Sequence, residues 1–181
     1  MMSYTKKYII TGAPGTGKTT LLEALKVEGY PCMDEVSRKV IKQEQQNDSN
    51  GTPWQDLSKF TELVFKAFVD ELNGNPQATF TDRSPLDLIA YHLVEGMPIP
   101  LLLERFPYLD KFSKKAFFAP TWPNIFEPDE QRQQTFNYCM ELEKALLTVH
   151  LEKGFEMITL PKDNVPVRVT FVRKFINNSE T

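Results

Sequence analysis

A glycine-rich turn near the start of the chain carries the residues best suited to chemistry. Residues 8–20 run from an apolar, β-rich segment into the turn and on into an apolar helical pattern, and the turn fits the spacing G-x-x-x-x-G-K-[ST]. Glycines let the backbone approach a phosphate without a Cβ clash, so several N–H groups can converge on one anion where the helix begins. The predicted phosphate-binding residues are Gly12, Ala13, Pro14, Gly15, Thr16, Gly17, Lys18, Thr19 and Thr20.

Two side chains of this turn have defined tasks in a phosphate site. Lys18 can reach the β- and γ-phosphates of a nucleotide as a point charge and so assist catalysis, and the Thr19 hydroxyl can bind Mg²⁺. The context fits, because residues 8–11 have the pattern of a strand and residues 19–28 that of a helix, which Gly29 ends. A strand, turn and helix without any ligand is the competing interpretation, but motif and context together favour nucleotide binding.

An aspartate and an arginine follow the third predicted strand. Asp82 ends the strand at residues 78–82, and Arg83 comes next. An aspartate at this point is the expected second anchor for Mg²⁺, usually through water, and so takes part in catalysis. Arg83 points to the same region, where it can hold a phosphate or orient a substrate.

Two acidic residues follow the second predicted strand, at residues 30–33. Asp34 and Glu35 lie at its carboxyl end, which is the edge where open α/β sheets bind ligands. In the functional interpretation, one of them positions an acceptor hydroxyl during catalysis. Acidic residues are equally favoured at a helix N-terminus by the helix dipole, so the sequence leaves both interpretations open and does not choose between the two acids.

The segment at about residues 121–134 is expected to form a lid between the fourth strand and a long helix. Its Arg132 can meet the transferring phosphoryl group, as an arginine finger supplied in cis does; a surface arginine is the alternative. Trp122 and Phe126 can stack on a base or anchor the lid in the core. Pro161, in the turn after the fifth strand, is expected next to the nucleotide base.

Strands and helices alternate along the chain. The predicted strands lie at residues 8–11, 30–33, 78–82, 115–119 and 155–160. The predicted helices lie at residues 19–28, 36–42, 55–72, 85–95, 135–153 and 165–177, with a mobile polar loop at about residues 43–54. The apolar stripe of the helix at residues 135–153 is expected at Phe136, Met140, Leu147 and Leu151. This alternation predicts a parallel, doubly wound α/β sheet in a single domain over residues 1–181.

Composition limits the classes of function. The chain has 181 residues, of which 41% are hydrophobic and 25% charged, and its net charge is −3; this argues against a general binder of nucleic acid or of an anionic membrane. Two cysteines make no disulfide framework, and Cys32 and Cys139 are expected to be small core residues. No apolar run approaches the roughly 18 residues of a membrane span, and the N-terminus lacks the apolar region of a signal peptide. We therefore expect a soluble, cytoplasmic protein.

Taken together, the ordered stretches resemble a small family of P-loop ATPase-like and kinase-like proteins, which includes the nicotinamide riboside kinase domain of bacterial NadR. The stretches that carry this resemblance lie at residues 10–20, 35–38, 82–84, 122–126, 129–132, 154–161 and 167–172. The resemblance implies a P-loop NTPase fold of the nucleoside-kinase type, a three-layer α/β/α sandwich around a five-stranded parallel sheet of order 2-3-1-4-5. It also implies a magnesium nucleotide as ligand, ATP or else GTP, and a lid arginine that matches Arg132.

The sequence leaves three functions open. The first is a small-molecule kinase, which transfers the γ-phosphoryl group of ATP to a hydroxyl of a nucleoside-like acceptor. The second is a switch that hydrolyses ATP or GTP and acts on a protein partner; it is weakened because Arg83 stands where motor ATPases carry glutamate, and because the chain has no Asn-Lys-x-Asp guanine motif. The third, a non-catalytic binding module, ranks last because the phosphate loop, Asp82 and Arg132 are intact.

Overall fold

Five short strands form one parallel sheet in the part of the chain that the structure describes. The computed structural model describes residues 6–125 and 134–177. The strands are β1 (Tyr8–Thr11), β2 (Cys32–Met33), β3 (Phe80–Asp82), β4 (Lys115–Phe118) and β5 (Glu156–Thr159). Their order is β2-β3-β1-β4-β5, and every neighbouring pair is parallel. The predicted fold is confirmed, and each strand after β1 is shorter than expected.

Helices cover both faces of the sheet. They are α1 (Lys18–Val27), α2 (Val36–Gln46), α3 (Leu57–Gly74), α4 (Pro85–Val94), α5 (Leu101–Glu104), α6 (Tyr108–Lys111), α7 (Phe136–Glu152) and α8 (Val165–Asn177). The side chains of Asp56, Ser84 and Thr135 accept a backbone N–H of the first turn and so cap α3, α4 and α7. Among the described helices, none has both the length and the apolar character needed to cross a membrane.

Alternate residues of the central strands face opposite sides of the sheet. Ile10, Phe80 and Phe117 pack in one apolar cluster with α1 and α8. Ile9 and Phe118 pack in the other cluster with α2, α3, α4 and α7. This alternation follows from the two-residue period of a strand, and it builds the three layers. Because the strands are parallel, their carboxyl ends meet at one edge, which is where the predicted site residues begin.

The polar segment after α2 makes more contacts than its composition predicts. α2 continues to Gln46, so the loop expected at residues 43–54 begins as helix. A carboxylate oxygen of Glu44 accepts a hydrogen bond from the Gly51 N–H at 2.9 Å and lies 3.3 Å from Lys59 Nζ. These contacts connect the loop to both α2 and α3. Polar side chains can pair with one another, so polarity alone overestimates the length of a loop.

The predicted apolar stripe of α7 is wrong at two of its four members, whereas Leu147 packs against the core. Met140 and Leu151, two of its members, are 45% and 58% exposed. The buried face instead carries Cys139, Leu142, Leu146, Val149 and His150. Apolar residues occur on both faces of this helix, and periodicity alone could not tell which face packs against the sheet. Burial of Cys139 is as expected, whereas Cys32 is only half-buried.

A buried polar cluster lies where α4 meets β1 and α7. The Thr11 hydroxyl approaches both carboxylate oxygens of Asp87, at 2.9 and 3.0 Å, and Arg83 Nη1 donates to Asp87 Oδ2 at 3.1 Å. His150 is fully buried, and its Nδ1–H donates to the Leu146 carbonyl at 2.8 Å. Its Nε2 therefore carries no proton in the neutral ring and lies 3.9 Å from Asp87 Oδ1. Burial lowers the pKa of His150, although the Asp87 carboxylate opposes this shift.

We expect His150 to make the fold less stable in acid. The unfolded chain binds a proton at this ring below about pH 6.5, whereas the folded chain binds it only at lower pH. The stabilising effect of the neutral ring is thus complete above that pH and is lost as the pH falls below it. Urea unfolding at about pH 7.5 and about pH 5.5 measures the change. His150→Gln should lose less stability over this interval than the wild-type chain, and an equal loss in both would contradict the interpretation.

Candidate functional site

The carboxyl ends of β2 and β3 and the loop after β1 border a cavity of about 570 Å³. The predicted residues that line it are Pro14, Gly15, Thr16, Gly17, Lys18, Thr19, Thr20, Glu35, Asp82 and Arg83. Gly12 and Ala13, at the start of the predicted loop, are buried and do not line it. The structure therefore brings together three motifs that are far apart in the sequence.

Gly12 is required by both space and backbone conformation. Its φ is +150°, and a Cβ at this position would lie 2.3 Å from the Ala119 carbonyl oxygen. The loop continues through Gly15 and Gly17, with φ of +79° and +76°, and α1 begins at Lys18. The first N–H groups of a helix have no partner within it. α1 therefore presents free donors and the positive end of its dipole to the cavity, as an anion site requires.

Lys18 is held beneath the loop by two hydrogen bonds. Its Nζ donates to the Ala13 carbonyl at 2.8 Å and to the Thr16 hydroxyl at 3.3 Å, and the residue is 4% exposed. Burial, and then the neighbouring charge of Arg83, lower the pKa of Lys18 to about 7. An anion in the cavity would favour the charged ammonium. The position of Lys18 suits a phosphate ligand.

Asp82 has a buried oxygen with no partner. Its Oδ1 makes no hydrogen bond to any described residue. Burial, reinforced by the Glu35 carboxylate, raises the pKa of Asp82 to about 7. Mg²⁺ binds oxygen ligands, often through one or two protein groups plus substrate phosphates and water. Asp82 and the exposed Thr19, which lines the same cavity, fit such an ion. Within the described ranges, no cluster of three His, Cys, Asp or Glu side chains offers a metal site built from protein alone.

Arg83 joins Glu35 to the phosphate loop. It is 8% exposed, and its Nε donates to Glu35 Oε1 at 3.0 Å. Its Nη1 donates to the Gly12 carbonyl at 3.0 Å and also to Asp87. The backbone φ of Arg83 is +68°, which is uncommon for a residue other than glycine. This guanidinium is therefore fixed by contacts with the second strand end, the loop and α4.

Glu35 is the acid of the second strand end that reaches the cavity. Burial opposes its ionisation, but the charges of Arg83, Lys18 and Arg38 outweigh burial and lower the pKa of Glu35 to about 2. Its side chain is 13% exposed. Glu35 is therefore an ionised hydrogen-bond acceptor at neutral pH.

The other predicted site residues lie elsewhere. The Asp34 side chain is 55% exposed, accepts a hydrogen bond from Lys26 and does not line the cavity. Pro161 does not line it either, although residues 163–165 of the same connection do. Arg132 lies outside the described residues. Asp34 lies away from the cavity because its carboxylate pairs with a lysine of α1 on the surface.

Several residues of the site carried little sequence signal. Asp87 lies on the first turn of α4 and pairs with Arg83, which precedes the Ser84 cap and is outside the helix, so their spacing gives no helical signal. Arg168 reaches the loop from α8, where its Nη1 donates to the Thr16 carbonyl; no local pattern indicates this contact. Trp122 lines the cavity, and Phe126 lies outside the described residues. The cavity also has an apolar wall of Val36, Ile41, Phe60, Val64, Phe68 and Leu88.

The sequence also matches a known family. A family model described as an AAA domain matches residues 7–168. The chain belongs to this family. The match spans the phosphate loop, Glu35, Asp82 and Arg83, and it ends at Arg168 in α8. No curated protein matches the chain.

Solved structures of two kinases resemble this chain over almost its whole length. A deoxyadenosine kinase from M. mycoides with bound dATP is 15% identical and has a TM-score of 0.68, with 94% of this chain and 99% of that chain covered. A thymidylate kinase from Candida albicans is 10% identical and also has a TM-score of 0.68, with 98% and 93% covered. At these identities the likeness concerns the fold. Family and fold together make the chain a P-loop enzyme of the kinase or NTPase class.

We expect Arg83→Lys to destabilise the fold, although the charge is kept. A lysine cannot replace a guanidinium that contacts two buried carboxylates and a carbonyl at once, so the loss should be about 2–3 kcal/mol. Arg173→Lys is the matched control, because Arg173 pairs with Glu28 on the surface and should change stability by less than about 0.5 kcal/mol. Chemical unfolding measures both, and equal small effects would contradict the role assigned to Arg83.

Proposed function

We propose that the protein is a small-molecule kinase, which transfers the γ-phosphoryl group of magnesium-ATP, with GTP as the alternative donor, to a hydroxyl of a nucleoside-like acceptor. The observation that carries this proposal is the position of Glu35. This ionised carboxylate lies at a cavity that the phosphate loop also lines, next to an apolar wall. A carboxylate there can accept a hydrogen bond from an acceptor hydroxyl, whereas a nucleotide switch needs no second small-molecule site.

The apolar wall supports a ring-bearing acceptor. Phe60, Val64 and Phe68 of α3 and Leu88 of α4 line the same cavity as Glu35. Small-molecule sites are commonly lined by aromatic and aliphatic side chains with a few polar groups that fix orientation. A nucleoside has both parts, a flat base for the wall and a sugar hydroxyl for the carboxylate. The dATP bound by the similar deoxyadenosine kinase is consistent with such a ligand on this fold.

The phosphate loop and Asp82, which line the same cavity, suit the phosphate donor. Backbone N–H groups at the start of α1 and the Lys18 ammonium would bind the β- and γ-phosphates. Thr19 and Asp82 would hold Mg²⁺, which neutralises phosphate charge when bound. Arg132 would meet the transferring group from the lid, a role that rests on its place in the sequence.

The chemistry needs little from the protein beyond position and charge. The bond between the γ-phosphorus and its bridging oxygen breaks, and a bond from the acceptor oxygen to that phosphorus forms. The nucleoside diphosphate leaves, and the hydroxyl proton of the acceptor passes to an oxygen of the transferred phosphoryl group and from there to water. A carboxylate with a pKa as low as that of Glu35 is a weak base, so we assign it mainly to orienting the hydroxyl. This suffices because phosphoryl transfer has a loose transition state.

We expect phosphoryl transfer from Mg-ATP to at least one member of a nucleoside panel that includes nicotinamide riboside, the substrate that the likeness to NadR suggests. Lys18→Ala should reduce transfer by about 100-fold or more, because charge stabilisation in the transition state is lost. Glu35→Gln should reduce kcat while nucleotide affinity stays nearly unchanged. Product formation is measured by chromatography, and nucleotide affinity by calorimetry.

Asp34→Asn is the matched control for Glu35→Gln, since the neighbouring carboxylate is exposed and does not line the cavity. This variant should keep wild-type transfer. Slow ATP or GTP hydrolysis with no acceptor in the panel would favour the alternative, a nucleotide switch that acts on a protein partner. Binding of the nucleotide with neither transfer nor hydrolysis would indicate a non-catalytic module.

A further inference from the structure

Arg168 brings a second buried cation to the phosphate loop. It belongs to the first turns of α8 and is 3% exposed. Its Nη1 donates to the Thr16 carbonyl at 3.1 Å and lies 2.8 Å from the point where a Cβ on Gly17 would be. The guanidinium therefore packs directly against the turn from which α1 begins. It also lines the cavity, beside Thr20 and Asn164.

No carboxylate neutralises Arg168 in the part of the chain that the structure describes. Its Nε is buried and has no hydrogen-bond partner there. The nearest acid of its own connection, Asp163, is exposed and accepts the Asn164 N–H through Oδ1 at 2.7 Å. A guanidinium carries five N–H donors, and a buried charge is costly unless it is paired. Arg168 thus presents to the cavity a positive charge and N–H donors that no described residue pairs.

The other buried cations of the cavity differ in this respect. Arg83 contacts Glu35 and Asp87, which are both carboxylates. Lys18 lies in the field of the same acidic cluster, whose charges favour its protonated form. Arg168 instead contacts the Thr16 carbonyl, and no hydrogen bond or ion pair joins it to these acids among the described residues. An anionic ligand in the cavity would supply the counter-charge that no described residue gives to Arg168.

We propose that Arg168 binds a non-transferred phosphate of the nucleotide, through the N–H groups that the Thr16 carbonyl leaves free. The chemistry it recognises is an anionic phosphate oxygen, and the contact with Thr16 holds the guanidinium in place before the ligand arrives. Arg168 would then contact the phosphate chain from α8, and Lys18 would contact it from α1. This inference rests on the proposed nucleotide site and adds to it a binding residue outside the glycine-rich motif.

The test compares two ligands that differ in the base. Calorimetry gives the dissociation constants of Mg-ADP and of Mg-tripolyphosphate, which has no base, for the wild-type chain and for Arg168→Gln. A phosphate contact predicts that both ligands bind about 10- to 100-fold more weakly to the variant, as expected for a lost charge-assisted hydrogen bond. In the phosphoryl-transfer assay, the KM for ATP should rise by a similar factor while kcat changes little.

Two further variants keep the test decisive. Lys174→Gln removes a positive charge from an exposed position of α8 and should leave both dissociation constants unchanged. Arg168→Lys keeps the charge but not the planar fork, so it should bind both ligands with intermediate affinity, and it replaces Arg168→Gln if that variant does not fold.

Three results would overturn the proposal. Weaker binding of Mg-ADP with unchanged binding of Mg-tripolyphosphate would place Arg168 at the base. Unchanged binding of both ligands would show that the contact with Thr16 is only structural. Failure of the wild-type chain to bind either ligand would remove the nucleotide site itself, and with it the proposed kinase.

Discussion

The site depends on one buried guanidinium. Arg83 contacts Glu35 after β2, the Gly12 carbonyl of the phosphate loop and Asp87 of α4, so three separate elements are held by a single cation. Only a planar group with several donors can make these contacts at once. The same charge keeps Glu35 ionised in a buried place. Loop position and acid–base state are therefore coupled through Arg83.

The helices and strands of the fold could be predicted because their determinants are local. The alternation of short apolar strands with helices is visible in sequence, and the order β2-β3-β1-β4-β5 agrees with the one that the family resemblance implied. Strand ends were overestimated, since apolar residues such as Phe155 and Leu160 are buried beyond the ladder of β5. The buried face of α7 was not predictable, because Met140 and Leu151 are as apolar as the residues that do pack inward.

Only the part of the site that sequence motifs mark could be predicted. The spacing of the phosphate loop and the place of Asp82 after a strand identified residues that now line one cavity. The choice between Asp34 and Glu35 needed the structure, because adjacent residues of a chain turn to different sides and only Glu35 meets Arg83. The contact of Arg168 with Thr16 could not be predicted, since it joins residues near the two ends of the described chain.

β1 comes first among the strands in sequence but lies at the centre of the sheet, between β3 and β4. The strands that pair with β1, around Phe80 and Phe117, are synthesised much later. Closing such long loops costs chain entropy and slows folding. A chain still under synthesis can therefore contain the whole glycine-rich motif without a formed loop, because Arg83 and Arg168 have not yet been synthesised. Competence to bind a ligand then appears late, and it marks the completion of folding.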